Sequence, residues 1–253
     1  MKMHILNGGR LRMKKRIYVP DAERDETIEL PVHATLFRHA RGNVLFDTGC
    51  HPDVEVDAEA RWGGLAKIMT PIAAPKSDVV SSLSQVGLNP DDIDIVINSH
   101  LHPDHCGCNA FFRKAQFICH KAELAAADSD GAEARGYLRA DWDLPMPVEA
   151  IDAQHDVFGD SRLVAIPLPG HTPGLIGLHA GLDRTGEVFA VSDAVSLMRN
   201  LDRDEIPRNA WDSEKLLESY IEIRRRRLRG AMILCGHDDE QWRQLRKGAE
   251  AYE

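Results

Sequence analysis

A chain of 253 residues, 43% of them hydrophobic, is long enough for one large domain or two fused halves and apolar enough to bury a sizeable core. Its net charge of −9 argues against a nucleic-acid phosphate partner, which favours a basic face. No apolar run reaches the length of a membrane-spanning helix, and the start, Met1 to Gly9, turns polar too soon for a signal peptide, so the expectation is a cytoplasmic protein with no membrane partner.

Residues 1–50 read as β-rich. Ile17-Tyr18-Val19 is one expected strand, Leu30 to Phe37 another, and Val44-Leu45-Phe46 a third that ends in Asp47-Thr48-Gly49. Ala40-Arg41-Gly42 has the composition of a hairpin turn. His33, His39 and His51 are scattered and read as ordinary surface or strand residues. Residues 51–76, with Trp62, Gly63-Gly64, Pro71 and Pro75, show little periodicity and are long for a plain connection, as lids and interface loops are. Trp62 is read either as a pocket wall or as packing for this loop, against the body or against the second subunit of a homodimer. Apolar positions 79, 83 and 86 have helical spacing, with Ser77 as the expected N-cap and Gly87 as the stop. Ile93 to Ile97 then reads as a buried strand.

Immediately after it, Ser99-His100-Leu101-His102-Pro103-Asp104-His105 carries the pattern H-x-H-x-D-H. Strand alternation extended through the motif would put His100 and His102 on one face, where two imidazoles can share an ion. Asp104 and His105 follow on a turned segment that can serve a second ion. Nitrogen and carboxylate ligands of this kind suit zinc, and also iron, manganese or cobalt. Structural zinc sites are closed by four ligands and often use Cys, so a His- and Asp-rich cluster on a loop favours an open, catalytic site. Cys106 and Cys108 flank Gly107 beside the cluster. The five Cys are odd in number and form no spaced framework, and the pair is read as inert packing ahead of metal ligands or reactive thiols.

Beyond the motif, Gln116 to Cys119 reads as a strand ending at His120, followed by a helix over Lys121–Ala127. His120 is read as structural, and 128–150 as an excursion joining two halves. In the second half, a strand over Leu163–Ile166 leads to His171, held between the pairs Pro169-Gly170 and Pro173-Gly174. A hairpin turn at Asp183–Gly186 and a strand through Ser192 deliver Asp193. A helix near Ser213–Arg227 precedes a strand over Ala231–Gly236 that delivers His237. The basic run Arg224 to Arg227 reads as a solvated helix face.

Taken in order, Phe46-Asp47-Thr48-Gly49, Ser99 to His105, Pro169 to Gly174, Ser192-Asp193 and Cys235-Gly236-His237 resemble the metallo-β-lactamase superfamily. The resemblance implies one domain over 1–253 of class α/β, an αββα sandwich with two mixed sheets flanked by helices, its similar halves spanning about 1–150 and 151–253. It implies two divalent metal ions, zinc first. His100, His102 and His171 would bind one, Asp104, His105 and His237 the other, and Asp193 would bridge them. Asp47 would orient a ligand imidazole. Such a pair of ions supplies a bridging hydroxide for attack on a carbonyl, with Asp104 as the catalytic proton carrier. Within the superfamily the chain is most similar to N-acyl homoserine lactonases and related small lactonases such as the pyridoxolactone hydrolases. The expected substrate is therefore a small lactone or ester. Those lactonases commonly carry a tyrosine three residues after the bridging aspartate; here Ser196 stands there and is the expected substrate contact. Other hydrolases of esters or thioesters, a mononuclear-iron persulfide dioxygenase and a non-catalytic zinc-binding module are the alternatives. A glutathione-binding tail of the thioesterase kind does not fit in the 16 residues 238–253.

Overall fold

The chain opens on a long antiparallel pair. β1 (Lys2–Lys14) faces β2 (Thr27–His39) along its whole length, with a register shift between Asn7 and Gly9. β3 (Gly42–Phe46) returns antiparallel to β2 through the turn expected at Ala40–Gly42, and β4 (Thr70–Pro71) covers the other edge of β1. β5 (Ile95–Ile97), β6 (Gln116–His120) and β7 (Val148–Ile151) then add in parallel, giving a seven-stranded sheet of order β4-β1-β2-β3-β5-β6-β7. The second sheet takes its strands from residues 155–235: β8 (His155–Asp156), β9 (Leu163–Pro167), β10 (Ile176–Leu182), β11 (Gly186–Ser192) and β12 (Met232–Cys235), in the order β12-β11-β10-β9-β8. Only its β11–β12 pair is parallel. This is a computed structural model, and it describes residues 1–253.

The two sheets pack face to face. Met3, Ile5, Phe37 and Ile97 of the first interdigitate with Ala165, Leu178, Ala190 and Leu234 of the second. Helices cover the outer faces, completing the αββα sandwich. On the first sheet lies α2 (Val79–Ser84), which follows α1 (Ala58–Trp62) in the chain. α3 (Pro103–Cys106), α4 (Lys121–Asp128) and α5 (Arg139–Trp142) follow β5 and β6. The second sheet is covered by α6 (Met198–Arg203) and by α7 (Ser213–Leu228), whose Leu216, Tyr220 and Ile223 repeat at helical spacing against Phe189 and Ile233. α8 (Asp239–Gln244) follows β12. No helix is long and apolar enough to cross a membrane.

Several local expectations are corrected. Ile17-Tyr18-Val19 is not a strand; Lys15–Ile17 is a 3-10 turn that ends β1. The strand lies earlier, where the Gly8-Gly9 pair and flanking charges obscure its alternation, and pairing with β2 overrides that weak propensity. β5 stops at Ile97, so His100 and His102 converge from a loop and not by strand alternation. The cap of α2 is Asp78, whose carboxylate accepts from Ser81 N at 2.7 Å, while Ser77 donates to Glu55.

Trp62 is 2% exposed and packs 51–76 onto the body with Leu11, Tyr18, Met69 and Leu197. The same segment is tied to 128–150 by an ion pair between Arg61 and the buried Asp141. Burial pushes the Asp141 carboxyl up to about 7 despite Arg61. All five cysteines are free and buried, as packing residues are. Within the basic run Arg225 and Arg227 are exposed while Arg224 and Arg226 are half-buried against the body, and the charges are answered by Asp202, Asp204 and Glu222.

The inter-sheet core sets stability. Leu178 is fully buried between the sheets, and Leu178→Ala is expected to cost about 2–5 kcal/mol. Chemical denaturation of both proteins at matched metal content checks it.

Candidate metal centre

Five strands of the two sheets end at the same edge of the sandwich, and each delivers part of one cluster. Asp47 follows β3, the His100–His105 segment follows β5, His171 follows β9, Asp193 follows β11 and His237 follows β12. All seven expected ligands meet there. His100, His102 and His171 form one group of three; Asp104, His105 and His237 form another, in each case with ligand atoms within 4.8 Å of one another. Asp193 lies between the groups. Its Oδ2 faces His171 Nε2 at 3.4 Å, while its Oδ1 faces His237 Nε2 at 3.0 Å and His105 Nε2 at 3.7 Å.

Asp47 organises the approach. Its Oδ1 accepts from Ser99 N and its Oδ2 from Ser99 Oγ, both at 2.7 Å, and Oδ2 also accepts from His105 Nδ1 at 3.0 Å. Asp47 and Ser192 both hold positive φ, at 62° and 47°, a conformation that costs energy for any residue with a Cβ and persists only where surroundings fix it. Gly236 is needed for space: a Cβ there would lie 2.3 Å from Asp193 Oδ1.

The outer ring nitrogens decide what the inner ones can do. His105 donates to Asp47, His100 Nδ1 donates to Ser99 Oγ at 3.0 Å, His102 Nε2 to the Arg135 carbonyl at 3.1 Å and His237 Nδ1 to the Pro31 carbonyl at 2.9 Å. In the neutral rings, each inner nitrogen then presents a lone pair to the centre. His102 Nδ1 lies 3.1 Å from His100 Nε2 and 3.2 Å from His171 Nε2. Lone pairs facing one another so closely call for a cation among them. A tetrahedral ion with bonds of about 2.0–2.1 Å separates its ligand atoms by about 3.3–3.4 Å, close to these spacings. His105 Nε2, His237 Nε2 and Asp193 Oδ1 are buried with no hydrogen-bond partner, as atoms reserved for a metal would be. The donor set therefore fits divalent ions.

Electrostatics divide the cluster. Burial, reinforced by neighbouring imidazoles, holds His100 well below its ordinary value; burial, against Asp193, holds His171 down at about 3. Around His105 burial opposes charge, but Asp104, Asp193 and Asp47 outweigh it and push the imidazole up to about 10. For His237 burial is likewise outweighed, mainly by Asp193. The carboxylate side thus demands positive charge that the three-imidazole side does not.

A cavity of about 990 Å³ opens onto His102, Asp104, His171 and Asp193. Its walls are largely apolar: Met13, Ile17, Leu65, Ile68 and Met69 on one part, Ala122, Ala125, Ala126 and Trp211 on another. Ser196, expected at the substrate, does not line it. The 3-10 turn Asp193–Val195 carries that position into the interior, where it is 1% exposed, its Oγ has no partner, and its carbonyl accepts from His237 N. Tyr18 and Tyr137, which sequence reading missed, also line the cavity. Tyr18 packs edge-on to His237 at 6.2 Å between ring centres and donates only to Met13 Sδ, a weak acceptor. Burial and the carboxylates of Asp193 and Asp104 push its phenol well above the ordinary range, so it stays protonated. Tyr137 packs on His102 at 5.2 Å. Nothing local in sequence marks either tyrosine. His33, read as ordinary, supports the site from behind, donating to the Cys235 carbonyl at 2.8 Å beside His237.

Known proteins are similar to this chain. The family model described as the metallo-beta-lactamase superfamily matches residues 27–237. The N-acyl homoserine lactonase AttM of Azorhizobium caulinodans is 26% identical over 260 residues, covering 100% of this chain and 99% of its own. An N-acyl homoserine lactonase of Bacillus thuringiensis is 28% identical over 249 residues, covering 97% of this chain and 96% of its own. A solved N-acyl homoserine lactone hydrolase, with the product N-hexanoyl-L-homoserine bound at its catalytic metal centre, aligns with a TM-score of 0.88 at 27% identity, over 99% of this chain and 98% of its own. With the ligand order intact and a match that runs from the second strand to His237, the chain belongs to the metallo-β-lactamase superfamily.

Proposed function

We propose that the protein is a dinuclear metal-dependent lactonase that hydrolyses N-acyl homoserine lactones or closely related small lactones. One observation carries the reading: a ligand set divided by Asp193 opens on a largely apolar cavity, in a chain that aligns end to end with named lactonases. His100, His102 and His171 would hold one ion, Asp104, His105 and His237 the other, with Asp193 shared. Two divalent ions held there, zinc first, would supply Lewis acidity and would lower the pKa of a bound water to about 7.

The chain's own groups do the rest. The net reaction adds water across the ring acyl–oxygen bond, so hydroxide ends on the carbonyl carbon and a proton on the departing ring oxygen. Asp104 faces the cavity and is the carboxylate placed to carry that proton. Tyr18, protonated and facing the same space, is the hydroxyl donor to the substrate oxygen that Ser196 was expected to be. The Met13, Ile17, Leu65, Ile68 and Met69 wall offers an acyl chain apolar cover.

The same centre would serve other carbonyls, so the walls choose the substrate. A glutathione conjugate carries two carboxylates. The one Lys or Arg lining the cavity is Arg135, and its guanidinium is already engaged by the Asp130 and Ala126 carbonyls and Ser129 Oγ. A neutral lactone asks for no cation.

On one zinc-loaded preparation, kcat/KM for acyl homoserine lactones or other γ- and δ-lactones is expected to exceed that for S-lactoylglutathione and for a chromogenic β-lactam at least tenfold. A thioester or β-lactam that wins by that margin overturns the lactonase reading. Tyr18→Phe is expected to lower kcat by about a hundredfold at unchanged metal content, the scale of one lost transition-state donor. Ser196→Ala is expected to leave the rate within twofold, and steady-state kinetics of both variants check the assignment.

A further inference from the structure

Glu123 stands where a carboxylate is costly. It lies in the first turn of α4 and is fully buried. Buried carboxylates are almost always paired, yet what meets Glu123 is not a cation. Oε1 accepts from the backbone N–H of Leu101 at 3.1 Å, and Oε2 accepts from the backbone N–H of Gly174 at 3.0 Å. Leu101 sits between His100 and His102, and Gly174 lies three residues beyond His171. One side chain thus spans the two loops that carry the three-imidazole group.

The neighbourhood is shaped for this contact. A Cβ on residue 174 would lie 2.2 Å from the backbone nitrogen of Glu123, so only glycine lets the His171 loop approach α4 so closely. The Tyr137 hydroxyl lies beside the same carboxylate, while its ring packs on His102. Both N–H groups need acceptors. A carboxylate offers one at each end, whereas an amide offers one and turns its NH₂ toward the other N–H. Glu123 does not line the cavity and cannot touch substrate.

We propose that Glu123 is a positioning residue that clamps the His100–His102 loop to the His171 loop before metal arrives, so that this ion's site is preformed. The proposal rests on reading these three histidines as the ligands of one ion. Preformed ligands bind without the cost of ordering them, and partners that orient ligands typically change metal affinity by about 10–100-fold.

The test uses the full-length protein, stripped of metal and titrated with Co²⁺, as wild type, Glu123→Ala and Glu123→Gln. Wild type is expected to take up two ions. Glu123→Ala is expected to weaken one of the two by about 10–100-fold, leave the other unchanged, and alter the visible bands of the weakened cobalt. Glu123→Gln, which keeps one acceptor, is expected to fall between them. Equal affinities and spectra in all three proteins overturn the positioning role. Wild type that takes up no cobalt overturns the metal reading itself, which is a distinct result. Should Glu123→Ala fail to fold, amide exchange in metal-free wild type decides. Protection of the Leu101 and Gly174 amides without metal supports the clamp, and exchange at open-loop rates overturns it.

Discussion

The site depends on Asp47 more than on any single ligand. It stands at the end of β3 with a left-handed backbone, and its two oxygens take Ser99 N, Ser99 Oγ and His105 Nδ1. Ser99 Oγ in turn meets His100 Nδ1 and Ser192 Oγ, so one carboxylate reaches histidines from both ligand groups and the strained residue before Asp193. These bonds cross from the first sheet to the second. The pairing of the sheets and the shape of the centre are one constraint, because the edge where five strands stop is also where the polar groups must be satisfied.

What the amino-acid sequence made legible is what strand ends expose. His100, His171, Asp193 and His237 stand shortly after apolar strands, His102, Asp104 and His105 follow His100 in one compact motif, and all seven converge in the fold. Asp47 was legible for the same reason. The long-range contacts were not. Tyr18 looked like strand, because its apolar neighbours mask a turn that β1 forces by ending at Lys14. Ser196 looked like a substrate contact by its spacing from Asp193, but spacing does not carry the direction of a 3-10 turn. Glu123 looked like an ordinary helix residue; its role depends on two backbone amides, at Leu101 and Gly174, that no side-chain pattern announces.

Chemistry and selectivity reside in different parts of the molecule. The cluster at the sheet edge is generic: its imidazoles and carboxylates would serve any hydrolysable carbonyl. The walls come from the end of β1 and the turn after it, residues 65–69, α4 with the excursion at 128–150, and residues 209–211. Trp62 packs residues 51–76 onto the body, the Arg61–Asp141 pair ties that segment to 128–150, and the short strands β4 and β7 anchor their ends in the first sheet.

We propose that the cluster holds two ions and shares Asp193 between them. Anomalous diffraction at the zinc edge, from crystals of zinc-reconstituted protein, tests it most directly. Two peaks about 3.5–4 Å apart are expected. One should lie among His100, His102 and His171, the other among Asp104, His105 and His237, with an Asp193 oxygen bound to each. A single fully occupied peak in catalytically competent crystals would contradict it.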